Sequence, residues 1–242
     1  MKNLAESAAT LIDRLGLTTS PVVVVFLRPG EEPEGFAEPK AVRFCQALML
    51  ARRGQQVLLT PDNIACPAAA AVLGFKPLPE KLESGEMLVG YGIFGNAVAG
   101  QCTVCSMPRL PLGEYAAVAL SPLAETPFEP DVVIVEGLPE QIMWLALAER
   151  FEEGGRLEFS TAVLQATCVD GAVLPFVEQR INASFGCYGC RDATDFGPEE
   201  GVIGFPGYDL ERIVAALEQL AAKAMPRVRA KTAYRAFQKR GK

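Results

Sequence analysis

The chain has 242 residues, half of them hydrophobic and 21% charged, with a formal net charge of −6; this is enough to bury a core without disulfides or a structural metal. It contains no histidine, which excludes Ser-His-Asp and Cys-His catalytic units, imidazole-ligated zinc and a histidine-ligated haem. No stretch approaches the roughly 20 apolar residues of a membrane span. The stretch Met1 to Gly16 is amphipathic rather than signal-like, so a cytoplasmic location away from membranes is expected.

In chain order, Pro21 to Phe26 is a β-branched apolar run closed by Arg28-Pro-Gly30 and reads as a buried strand. Val42 to Arg53, ended by Gly54, reads as a helix, Gln56 to Thr60 as an extended segment, and Cys66 follows. Glu86 to Val89 reads as a strand before Gly90-Tyr-Gly-Ile-Phe-Gly95. That run matches G-x-G-x-x-G, but Asn96 to Gly100 is too short for the helix of a dinucleotide site; a glycine-rich turn near the cysteines is the better account. Cys102-Thr-Val-Cys105 and an apolar run from Tyr115 to Pro122 complete a first unit.

After the Pro-rich stretch from Ser121 to Pro130, a similar order returns. A strand at Asp131 to Val135 precedes a helix from Gln141 to Glu153, an extended segment from Arg156 to Ser160, and Cys168. Then come Cys187-Tyr-Gly-Cys190 and a strand from Gly201 to Pro206. Matching the two orders pairs Cys66 with Cys168, Cys102 with Cys187 and Cys105 with Cys190, and leaves Cys45 alone. Asp209 is placed to cap a closing helix whose stripe of Ile213, Val214, Leu217, Leu220 and Ala221 ends before Pro226.

The predicted fold is therefore α/β (or α+β), with two related strand-helix-strand units packed around a pseudo-twofold. Residues 1–122 form the first unit with an N-terminal helix, 131–208 the second, and 209–242 the closing helix and basic tail, in one compact domain. From Lys223 to Lys242 there are eight basic residues and no acids, against 15 basic and 29 acidic residues in the first 222. The acidic body argues against nucleic acid, while the tail suits an acidic protein partner.

With histidine absent, the seven cysteines (Cys45, Cys66, Cys102, Cys105, Cys168, Cys187 and Cys190) are the concentrated chemical resource. In a reducing compartment they are thiols or metal ligands. A C-x-x-C turn brings two thiolates together, and a third from a nearby turn begins to enclose a metal or cluster. Cys105 and Cys187 lie 82 positions apart, far beyond the roughly 15 to 20 residues that close a compact zinc ribbon. A [4Fe-4S] cluster is thus preferred over zinc or metal-free thiols. Arg191 is a candidate to stabilise thiolate charge, and Asp62, Asn63, Asn182, Asp192 and Asp195 supply polar groups that mostly read as turn formers.

Arg43-Phe-Cys45, Cys66-Pro-Ala-Ala with Leu73-Gly-Phe75, Thr167-Cys168 and Ser184-Phe-Gly-Cys-Tyr-Gly-Cys-Arg191 resemble the prokaryotic family called domain of unknown function 169, over most of residues 20 to 215. The resemblance brings no established activity. It implies a ligand set of Cys45, Cys66, Cys168 and Cys187, with Cys190 in reserve, and leaves Cys102 and Cys105 outside the family pattern. The expected function is iron–sulfur binding for electron transfer or reductive activation of a small molecule, an oxidoreductase role left open. The alternative is a non-enzymatic zinc- or thiol-stabilised module that binds a small molecule. An acidic redox partner and self-association into homo-oligomers are compatible with either.

Overall fold

The computed structural model describes residues 3–31 and 33–240, Arg240 by its backbone alone. Six strands form one sheet, β1 (Val22–Leu27), β2 (Val57–Leu59), β3 (Ala117–Pro122), β4 (Val132–Gly137), β5 (Asn182–Ser184) and β6 (Gly201–Pro206), in the order β2-β3-β1-β4-β6-β5. Every neighbouring pair is antiparallel. The fold is mixed α/β, with helices on both faces of this sheet, which is why β1 and β4 are apolar at successive positions instead of alternating.

Successive side chains point to opposite faces, and the core divides accordingly. Val22, Val24, Val132 and Ile134 face one layer, built from α2 (Phe44–Arg52), α3 (Pro67–Val72) and a π-helix (Ala166–Val173). Val23, Val133, Val135 and Phe205 face the other, built from α1 (Leu4–Leu15), α7 (Pro139–Glu149) and α10 (Leu210–Arg229). Asn3 caps α1 through its side chain, and Gly16 ends it in the left-handed conformation.

Strand order is symmetric about the β1–β4 pair, but the expected helix equivalence does not hold. A twofold between antiparallel neighbours runs perpendicular to the sheet and returns each face to itself. The α2 and α7 helices lie on opposite faces, so no such axis relates them. The same-face counterpart of α2 is the π-helix, which packs on β5 and β6 as α2 packs on β2 and β3.

Other expectations are also corrected. Arg156 to Ser160 is not a strand, and the edge is taken by β5. Glu86–Gly90 is a helix, α5, between α4 (Glu80–Glu83) and α6 (Ala97–Cys105), because a short apolar run carries too little periodicity to distinguish the two. Asp209 makes no capping bond and instead accepts from Arg212 Nε and Nη2. The closing helix continues through Pro226 to Arg229 before α11 (Thr232–Arg240), its stripe of Ile213, Val214, Leu217 and Leu220 buried as expected. Two further short helices, α8 (Leu174–Glu178) and α9 (Tyr188–Ala193), flank β5.

Candidate functional site

Four separate segments bring five cysteines to one cavity of about 240 Å³ on the α2 face of the sheet, lined by Cys45, Cys66, Cys168, Cys187 and Cys190. Cys45 lies in the first turn of α2, whose entry is set by the Arg43 N–H donating to Gln46 Oε1 at 3.0 Å. Cys66 precedes α3, with Pro67 at the first helical position, where a missing N–H costs nothing. Two backbone bonds, Val42 N–H to Asn63 O and Ala65 N–H to Val42 O, both 2.9 Å, clip these two cysteine loops together. Asn63 is the expected turn former: its side chain accepts from Thr60 N–H and donates to Leu58 O.

Cys168 arrives by a stranger route. Val163 and Gln165 both adopt positive φ, 49° and 56°, which is costly for non-glycine residues and most so for a β-branched one. The π-helix that follows is a rare form concentrated at functional positions. Its close seat on the sheet depends on Gly204, where a Cβ would come within 1.9 Å of Gly171 O. Asp170, within the π-helix, is buried and accepts from Thr161 Oγ1, and burial pushes its carboxyl up to about 6.

Cys187 and Cys190 form a mutual hydrogen-bonded pair at the start of α9. Cys187 N–H donates to Cys190 Sγ at 3.0 Å, Cys190 N–H to Cys187 Sγ at 3.3 Å, and the Cys190 thiol to Cys187 O at 3.2 Å. The preceding Gly186 has φ +88° and backs onto Phe196, where a Cβ would not fit. Arg191, a candidate for thiolate stabilisation in the sequence, has its guanidinium engaged elsewhere, donating to the carbonyls of Phe185, Gly197 and Glu200 and stacking on Phe196. It shapes the loop and does not reach a sulfur.

The thiols sense one another. Burial pushes Cys45 up to about 12, and the Cys187 and Cys66 sulfurs add to the rise against an opposing Arg43. Burial raises Cys168 well above an ordinary thiol, with Cys66, Cys187 and Cys45 contributing. Cys187 moves down, because Cys190 hydrogen-bonds to it and backbone N–H groups of Cys190, Ala166 and Gly189 join; Cys190 moves up in return. Buried thiols that resist joint ionisation become a thiolate set when a cationic centre neutralises them.

Leu82, Met87, Leu88 and Ile93 supply apolar lining to the same cavity, and the exposed Tyr91 and Tyr188, which also line it, stack with centroids 6.5 Å apart. The glycine-rich turn thus does adjoin the cysteines. Cys102 and Cys105, by contrast, are exposed on α6 and do not line the cavity. Among the described residues, no three His, Cys, Asp or Glu side chains form a group that could hold a single metal ion.

Behind the site, nearly buried Arg52 pairs with Glu136 at 3.2 Å, Asp195 at 2.7 Å and Glu200 at 3.3 Å, and Arg53 also pairs with Asp195. This network ties α2, β4 and the loop after α9 into one frame. Sequence reading missed it, along with Gln165 and the tyrosine pair, because none carries a motif. Burial outweighs Arg52 at Glu136 and pushes its carboxyl up to about 8.

The chain belongs to the family described as Uncharacterised ArCR, domain of unknown function 169, whose model matches residues 10–216. It is 31% identical over 222 residues, 90% of this chain and 95% of the relative, to an uncharacterized protein of Methanocaldococcus jannaschii, MJ0308. No solved structure matches it. No helix among the described residues is long and apolar enough to cross a membrane.

Proposed function

We propose that this protein binds an iron–sulfur cluster, most simply [4Fe-4S], through Cys45, Cys66, Cys168 and Cys187, and that it serves electron transfer or reductive activation of a small molecule. The carrying observation is the convergence of thiols from four distant segments on one cavity. In topological terms, each half of the sheet offers one cysteine from its covering helix, Cys45 or Cys168, and one from the loop after its edge strand, Cys66 or Cys187. The donors are all sulfur, which suits an iron–sulfur centre, and they line one shared space.

The bound cluster would supply one-electron transfer. The chain's own contribution is to orient and insulate: the Cys190 N–H donates to the Cys187 sulfur, and Leu82, Met87 and Leu88 add apolar lining. Hydrogen bonds to sulfur and burial are the two levers that set a cluster's potential. Cys190 stands beside Cys187 as a reserve thiol. Free thiols throughout accord with a cytoplasmic home. Exposed Arg235 and Lys239 on α11 would dock an acidic redox partner.

Anaerobically purified protein should be brown, with absorption near ~400 nm and iron matched by acid-labile sulfide. Colourless protein carrying zinc would instead favour a non-enzymatic binding module.

A further inference from the structure

Besides its cysteines, the cavity is lined by the polar side chains of Arg43, Tyr91, Gln165, Thr167, Tyr188 and Asp192, and Arg43 and Gln165 are the two groups that bear on a guest. Half-buried Arg43 lines it, and among the described residues its guanidinium meets no carboxylate within ion-pairing distance and no hydrogen-bond acceptor. Arg52, Arg191 and Arg212, in comparison, each engage two or more oxygens. The second group is Gln165, also lining the cavity, whose Oε1 is buried without a partner among the described residues.

An orphaned buried carbonyl is rare in a folded protein and calls for an account. Here it coincides with a strained backbone, since Gln165 sits at φ +56° at the head of the π-helix that carries Cys168. Strain of this kind persists where the surroundings enforce it, and it concentrates at ligand sites. A guanidinium and a carboxamide that line one cavity, both without a partner among the described residues, suit a guest with an anionic end and a hydrogen-bond donor. The volume of about 240 Å³ suits a small guest, and Leu82 and Met87 offer apolar lining to its carbon body.

We propose that the cavity binds a small hydroxylated carboxylate, its carboxylate on the Arg43 guanidinium and its hydroxyl on the Gln165 carboxamide. A guanidinium fork matches a carboxylate in two parallel bonds. A hydroxyl both donates and accepts, so it satisfies the carboxamide whichever way that group is turned. The inference deepens the cluster reading, on which it rests for what lies beneath the acid, though not for the acid's own contacts.

The test is calorimetric titration of the anaerobically purified full-length chain with glycolate, acetate and ethylene glycol, with iron and sulfide counted on every sample. Glycolate should bind at least tenfold tighter than acetate, and ethylene glycol not detectably. Arg43→Gln should weaken glycolate at least tenfold with iron and sulfide unchanged, and Arg43→Lys, which keeps the charge without the fork, should fall between. Gln165→Asn, which tolerates the left-handed backbone but shortens the reach, should erase the preference for glycolate over acetate. Glycolate binding no tighter than acetate, or unaltered by Arg43→Gln, overturns the inference. Iron-loaded protein that ignores glycolate removes the acid subsite and leaves the cluster; the glycolate pattern in iron-free protein does the reverse.

Discussion

Cys102–Cys105 and Cys187–Cys190 share the C-x-x-C spacing and differ in nearly everything else. The first pair lies in the last turn of α6, exposed to solvent, on a helix held down by Gly100 against Gly85 and by buried Val104. The second is buried at the start of α9, each sulfur bonded to the other residue's N–H, and it shares a cavity with Cys45 and Cys168, which arrive on other elements. Spacing of three places two side chains on the same side of any helix. What turns a pair into a site is the arrival of other segments, and that is decided by the sheet.

The sharpest way to break this comparison is to remove sulfurs one region at a time. Cys168→Ser should cut bound iron at least tenfold, since a hydroxyl is a poor ligand for a soft centre, while Cys102→Ser and Cys105→Ser should leave iron per chain unchanged. Equal depletion by the α6 variants would erase the distinction between the pairs. Next in size is Gly204→Ala, whose methyl group would collide with Gly171 O and lift the π-helix. A cost of about 1–3 kcal/mol in urea unfolding is expected from such overpacking, along with partial loss of iron because Cys168 moves.

The smallest effect on the site is expected at Glu136, which braces it from behind. Its folded-state carboxyl, near 8, lies above the ordinary 4.5, so folding favours the protonated form. The associated stability is whole below about pH 4.5 and is lost as pH rises through about 8. Glu136→Gln should remove that slope: relative to wild type, the variant gains stability from pH 5 to pH 9 by an amount on the order of a few kcal/mol, read from urea midpoints, with iron content unaffected.

Much of the frame was legible in the sequence for a physical reason. A sheet covered on both faces makes continuous apolar strands such as Val22–Phe26 and Val132–Val135, and a surface helix makes the stripe from Ile213 to Leu220. The edge strand β5 was hidden, because Asn182 and Ser184 look like turn residues; in the fold, Asn182 bonds Ser160 and the Asp170 carbonyl, and Ser184 shares a hydroxyl contact with Thr161. With β5 unseen, Arg156–Ser160 was taken for the edge strand and α7 for the partner of α2, which mispaired the cysteines. The grouping of Cys45 with Cys66, Cys168 and Cys187 came from family resemblance; in the fold these four line one cavity together with Cys190. Arg43 and Gln165 carry no pattern, since an absent partner is visible only in three dimensions.

The most direct measurement is a count of iron and acid-labile sulfide on the Cys102→Ser/Cys105→Ser double variant purified without oxygen, where only the buried thiols and Cys45 and Cys66 remain. Binding of one four-iron cluster predicts about four iron and about four sulfide per chain. A single zinc, or neither iron nor sulfide, would contradict the account.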